Sequence, residues 1–185
     1  MDRCSWCVNS ELEIDYHDNE WGVPLHDDDK LFEFIILDGF QAGLSWKTIL
    51  MKRENFRSAF DNFDYRIISN YTQDKLDVLM QDKGIIRNKL KIESAVINAR
   101  SFMEIQAKFG SFDQYIWQFT EGNTIKNSWL NHKDIPVSTK ESDEMSKSLK
   151  KYGFKFVGTT ICYAFMQAAG MVNDHTVNCF RYNQL

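Results

Sequence analysis

The sequence predicts an all-α fold. Three observations carry that prediction. Apolar residues recur at three- and four-residue spacing through most of the 185-residue chain. Strictly alternating apolar and polar runs, the mark of half-buried strands, are scarce. Proline occurs only at Pro24 and Pro136, so little interrupts the helical segments.

The elements follow in order. Leu31, Ile35 and Asp38 share one helical face, with Phe34 beside them and Asp27, Asp28 and Asp29 as candidate caps. Ile49, Phe56 and Phe60 repeat at helical spacing. Thr72 caps a helix carrying Leu76, Leu79 and Met80. Ile92, Ala95, Val96, Ala99, Phe102 and Met103 make a long apolar stripe. Ser111 precedes Phe112, Tyr115, Ile116 and Phe119. Ser138 with Glu141 reads as a capping box, and Gly153 ends the helix it opens. Ile161, Phe165, Ala168 and Ala169 run to Gly170. Residues 18–27 and 120–137 are the expected loops.

At this length the chain is expected to be one domain, residues 1–185, with a real core. The apolar share of 43% and charged share of 26% fit a globular protein. No apolar run reaches the roughly 18 residues a membrane span needs. The start, "MDRCSWCVNS", lacks the basic-then-apolar pattern of a signal peptide, so the expected compartment is the cytoplasm. There the four cysteines are metal ligands or buried thiols rather than disulfides. A net charge of −4 argues against tight, indiscriminate nucleic-acid binding. Two basic clusters stand out locally: Lys83, Arg87, Lys89 and Lys91, and Lys147, Lys150, Lys151 and Lys155. On charge alone both read as solvated helix surface.

The closing stretch "NDHTVNCFRYNQL" sets His175 and Cys179 four residues apart, one turn of helix. Cys162, inside "TTICYAFMQAAG", reads as a buried thiol, and His26 and His132 lie in polar loops. That leaves Cys4, Cys7 and His17 near the other terminus. A tetrahedral zinc site could take His17, His175, Cys179 and either Cys4 or Cys7. The alternative is a free Cys179 and a surface His175. Four protein ligands would leave no position for water, so such a zinc would be structural, clipping two termini together.

Asp38 is a carboxylate on an apolar face, where an unpaired charge is costly. It either caps or pairs near its helix end, or it receives a ligand. The following "QAGLSW" supplies a turn, an exposed Leu44 and Trp46; Trp6, Tyr16 and Trp21 crowd the segment that a metal would pin. An aromatic cluster around one carboxylate suits a flat, cationic ring. Farther on, "LDVLMQDKGIIRNKLKIESAVINAR" reads as helix, hairpin, helix over residues 72–103. Gly84 is expected to take a left-handed conformation at the turn, and the N–H groups around Ile86 to Asn88 to face a phosphate, with Lys83, Arg87 and Lys89 around it. An ordinary helical turn with solvated lysines is the alternative.

Taken in order, "RCSW", "YHDNEWGVP", "QAGLSW", "GIIRNKLKI", "GFKFVGTTICYAFMQAAGMVNDH" and the final His175/Cys179 pair resemble the 3-methyladenine DNA glycosylase I family of helix–hairpin–helix glycosylases, nearly end to end. The resemblance implies two helical lobes around a base pocket, with the termini joined by zinc on Cys4, His17, His175 and Cys179, not Cys7. It implies a methylated base flanked by Trp46 and Trp6, with Tyr16 beside it and Asp38 as the base-reading carboxylate. It further implies Leu44 in a loop pushed into the duplex, and phosphate contacts from the hairpin at Gly84, Ile86, Arg87 and Lys89. Two departures stand out. Asp38 occupies a position where the family carries glutamate, one methylene longer, and Ile86 stands where the superfamily usually has a second hairpin glycine.

The expected activity is monofunctional hydrolysis of the N-glycosidic bond of 3-methyladenine in double-stranded alkylated DNA. The free base is the product, no membrane is involved, and the enzyme is expected to act as a monomer. The alternative, raised by Asp38, is a zinc-containing DNA- or base-binding module without turnover or with altered specificity.

Overall fold

The computed structural model describes residues 2–185. Among the described residues, nine α-helices are connected by short turns and 3₁₀ segments: α1 (Glu11–Asn19), α2 (Asp28–Gln41), α3 (Trp46–Ala59), α4 (Tyr65–Ile68), α5 (Gln73–Gln81), α6 (Lys89–Phe109), α7 (Phe112–Ile116), α8 (Lys140–Lys151) and α9 (Thr159–Ala168). None of the described helices is long and apolar enough to cross a membrane.

α2 is the axis of the molecule. It packs against α3, α6, α7 and α9, and every residue from Leu31 to Phe40 is buried. The sequence suggested one apolar face; the helix is enclosed on all sides, as a central core helix must be. Asp38 therefore sits inside the protein rather than at a half-solvated helix end.

Local chemistry sets most boundaries. The side chains of Asp27, Ser45, Thr72, Asn88 and Ser111 accept from backbone N–H groups that would otherwise be orphaned at the starts of α2, α3, α5, α6 and α7. The capping box of α8 is shifted by one residue from expectation. Thr139 and Ser142 exchange the two bonds, not Ser138 and Glu141, and Ser142 also meets Thr159 at the start of α9. Met103 lies at the edge of the α6 stripe, 39% exposed.

Two sequence expectations need correction. The 120–137 segment was expected to be a loop, yet Ile125–Lys126 forms a short parallel pair, β1, with Val172–Asn173, β2. Two-residue strands carry no readable alternation. Gly84 is not among the glycines with positive φ. Space there is tight instead: a Cβ would come within 2.9 Å of the Asp82 carboxylate and 3.1 Å of the Asn55 Cβ, so those side chains would have to shift. A stricter case is Gly170, which has φ +68°. A Cβ there would lie 2.3 Å from the backbone of Val23, so only glycine lets α9 close against the segment after α1.

Candidate active site and metal centre

The two chain ends meet in one buried cluster. One ligand atom from each of Cys4, His17, His175 and Cys179 lies within 4.8 Å of the other three. The Cys179 sulfur is 3.4 Å from His17 Nε2 and 3.4 Å from His175 Nδ1, and the Cys4 sulfur is 3.7 Å from His175 Nδ1. For an ion bonded at about 2.3 Å to sulfur and about 2.0 Å to nitrogen, tetrahedral angles place S and N about 3.5 Å apart. The donor set therefore fits a tetrahedral metal ion.

The surroundings support that fit. His17 Nδ1 is 2.8 Å from the Asp18 carboxylate, which Arg3 grips with two nitrogens. His175 Nε2 is 3.1 Å from the Trp21 carbonyl. Each histidine thus has its outer nitrogen held, leaving the inner one free for a metal. Burial keeps the His175 imidazole neutral, pushed down to about 4, which suits a ligand. Cys7 is outside the group; its thiol donates to the Cys4 carbonyl. Of the two cysteines open as ligands from spacing, Cys4 alone belongs to the cluster.

An aromatic relay leads from this cluster to a cavity of about 290 Å³. His175 meets Trp21 edge-on at 4.6 Å between centroids, Trp21 meets Trp6 at 5.1 Å, Trp6 meets Tyr16 at 6.4 Å, and Tyr16 meets Trp46 at 5.3 Å. Consecutive residues of α1 share the work: His17 turns to the cluster and Tyr16 to the cavity. The Cys/His cluster thus backs the cavity's aromatic wall.

Trp6, Tyr16, Asp38 and Trp46 all line the cavity, so the structure brings together the four residues the sequence nominated for base binding. Glu13, Gln41, Ala164 and Gln167 join them, and His132 does so unexpectedly. Sequence reading placed His132 in a solvated loop. The loop is drawn across by tertiary bonds that local pattern does not encode: Asn127 and Trp129 donate to the Asp174 carboxylate, which also accepts from Tyr163 and Gln167. No lysine lines the cavity.

The cavity's polar atoms are under-satisfied. Asp38 is 2% exposed and its Oδ2 is buried without a hydrogen-bond partner; Trp6 Nε1 and Trp46 Nε1 are equally unpartnered. Native interiors rarely leave such atoms without a protein, water or ligand partner. Burial pushes the Asp38 carboxyl well above the ordinary carboxylate range, with Arg53 opposing the shift. Arg53 itself is engaged by Glu20 and Glu33 and makes no ion pair with Asp38.

Outside the cavity lining, one apolar turn and two hairpins carry the remaining candidate residues. Leu44 is 40% exposed in the turn between α2 and α3, beside Gly43 at φ +78°. The first hairpin, residues 82–88, joins α5 to α6. Ile85 is buried there, Ile86 partly buried, and Arg87 and Lys89 are exposed. Lys52 donates to the carbonyls of Lys83 and Gly84, and the Asn88 side chain already caps α6. The second hairpin, residues 152–158, joins α8 to α9. Its N-cap, Gly158, provides no side-chain cap for α9, and Lys147, Lys150, Lys151 and Thr159 line a depression beside it. The sequence left this second cluster as solvated surface. Lys147, Lys150 and Lys151 are exposed, in keeping with that reading, while the far end of α9, at Ala164 and Gln167, reaches the cavity.

A family model described as methyladenine glycosylase matches residues 6–182. The chain belongs to the methyladenine glycosylase family. It is 48% identical over 182 residues to DNA-3-methyladenine glycosylase 1 of Escherichia coli strain K12, covering 98% of this chain and 97% of that one. It is 45% identical to DNA-3-methyladenine glycosylase of Haemophilus influenzae, covering 96% of each. A crystal structure of 3-methyladenine DNA glycosylase I superposes with a TM-score of 0.94 at 49% identity, covering 97% of this chain and 98% of that one. The Staphylococcus aureus 3-methyladenine DNA glycosylase I, solved to explain recognition of 3-methyladenine, superposes equally well at 32% identity, covering 97% of this chain and 96% of that one.

Proposed function

We propose that this DNA glycosylase of base-excision repair receives a flipped-out 3-methyladenine in the Trp6–Tyr16–Asp38–Trp46 cavity and hydrolyses its N-glycosidic bond. The observation that carries the reading is the set of three buried, unpartnered polar atoms at that cavity: one carboxylate oxygen and two indole N–H groups. A methylated adenine in DNA is flat and positively charged. It offers π faces to the indoles and N–H hydrogens to the carboxylate.

The charge explains why no strong acid is required. When the C1′–N9 bond breaks, its electron pair passes to the base, which leaves neutral. Water bonds to C1′ and releases its proton to solvent. The phosphodiester backbone stays intact, because no cavity lysine is present to capture the sugar. Asp38 orients the cationic base and counters its charge, while Trp46 and Trp6 flank it and Tyr16 fills the wall beside them. Asp38 is one methylene shorter than the glutamate expected for the family, so its bond to the base runs through a water or a small shift of the base.

Leu44 fills the gap the extruded nucleotide leaves in double-stranded DNA. Gly84, Ile86, Arg87 and Lys89 of the first hairpin hold the phosphate backbone, within the 72–103 helix–hairpin–helix unit. The open start of α9, with Lys147, Lys150 and Lys151, holds a second phosphate stretch. Zinc is the ion for the Cys₂His₂ cluster, because thiolate and imidazole donors in a closed tetrahedron suit it and leave no water to activate. Its contribution is to fix the termini and, through Trp21 and Trp6, the cavity wall. The enzyme acts as a single-domain monomer in the cytoplasm, with the chain ends forming the metal-bearing lobe.

Relatives at 45–48% identity are named as glycosylases, which favours turnover over a binding module that only captures the base. The test is incubation with DNA methylated at adenine N3. Released 3-methyladenine with unbroken strands is the expected result. Tight binding without release would restore the non-catalytic alternative.

A further inference from the structure

Lys91 is a buried cation away from the cavity. It lies in the first turn of α6, is 5% exposed, and its ammonium donates at 2.8 Å to the Phe40 carbonyl and at 2.6 Å to the Ala42 carbonyl. These carbonyls end α2, where no intrahelical donor remains and the helix dipole is negative. The same ammonium stands 5.9 Å from the ring centroid of Phe156 in the second hairpin. Phe156 in turn packs on α2: a Cβ built at Gly39 would lie 3.4 Å from its own.

The turn that carries Leu44 has few other tethers. Ala42 donates to Gly39, Leu44 donates to Gln41, and Ser45 bonds with Thr48. Among the described residues, those bonds stay within the turn and its flanking helices. Gly43 meets nothing within 4 Å of a built Cβ. Lys91 supplies the tertiary hydrogen bonds that fix this turn against the rest of the protein. Burial lowers its basicity, consistent with an ammonium held inside rather than one reaching for DNA.

We propose that Lys91 is a positioning residue for nucleotide extrusion: it ties the Leu44 turn to the start of α6 and to Phe156, and so fixes where Leu44 enters the duplex relative to the two backbone-gripping hairpins. The proposal rests on the reading of Leu44 as the inserted residue. Without the ammonium, two carbonyls are left unmatched and the turn is free to drift. A wedge displaced by about an ångström slows extrusion by roughly ten-fold or more. Binding of the free base and of the phosphates needs no wedge and is spared.

The test uses the metal-loaded full chain and a duplex bearing N3-methyladenine beside 2-aminopurine, whose fluorescence reports unstacking. Lys91→Met is expected to slow unstacking and single-turnover excision by roughly ten-fold, with KM and free 3-methyladenine affinity within about three-fold of the parent. Lys91→Gln reads the same split with one donor retained, should the methionine variant fail to fold. An undiminished rate overturns the proposal. So does loss of rate, base affinity and metal content together, which would mark a general packing role. Leu44→Ala separates the two layers. If it leaves unstacking unchanged, the wedge reading falls and takes this proposal with it; if it slows unstacking while the Lys91 variants do not, the Lys91 role alone is rejected.

Discussion

Replacing Asp38 by asparagine should make the protein more stable and the enzyme worse. The carboxylate is 2% exposed, Oδ2 lacks a partner, and Arg53 is already paired elsewhere. Its native proton affinity is raised by burial, so above the ordinary carboxylate value the folded state holds more protons than the unfolded chain. Stability of the parent must then fall as pH rises through that window. Asparagine does not titrate and lacks this slope. The stability gain of Asp38→Asn should grow as pH rises above the ordinary carboxylate value and reach roughly 1–3 kcal/mol, the cost of burying a charge rather than a neutral amide. For a chain of this size that is a rise of roughly 2–10 °C in Tm. Excision should move the other way. Losing a charge-assisted hydrogen bond of roughly 1.5–3 kcal/mol slows single-turnover release roughly 10- to 150-fold. Thermal unfolding across pH, alongside base release, reads both. A variant less stable at high pH, or one that excises at the parental rate, would refute the account of Asp38 as an unpaired, base-facing charge.

Three further outcomes follow from other parts of the molecule. Cys179→Ser should lose the bound metal and several degrees of Tm, whereas Cys7→Ser should keep the metal, because the Cys7 thiol lies outside the cluster; elemental analysis and calorimetry distinguish them. Gly170→Ala should reduce soluble folded protein severely, since the added methyl overlaps the Val23 backbone at 2.3 Å and the residue needs positive φ; normal unfolding behaviour would mean this close approach is not needed. Reversing the charges of Lys147, Lys150 and Lys151 should weaken duplex binding uniformly across sequences and flatten its salt dependence by about one unit of slope per lost phosphate contact, leaving free-base affinity intact. A salt slope equal to the parent's would remove the second hairpin from the DNA surface.

Most of the helices were legible in the sequence, because a cap and an apolar spacing are local facts; α1 and α4 were not, and the start of α8 was displaced by one residue. Thr72, Ser111 and Asn88 sit where their side chains can satisfy the next turn, whatever the rest of the chain does. An aromatic-rich segment, one misplaced carboxylate and a His–Cys pair were visible unfolded, and the family resemblance turned them into a named set of cavity residues and metal donors. Tertiary structure decided the rest. Only packing could show Asp38 enclosed and unpaired, carry His132 to the cavity through Asp174, or crowd position 84 without a positive φ. These depend on atoms far apart in the chain being pressed within a few ångströms of each other. Spacing along a sequence does not record such distances, since they are set by the whole core at once.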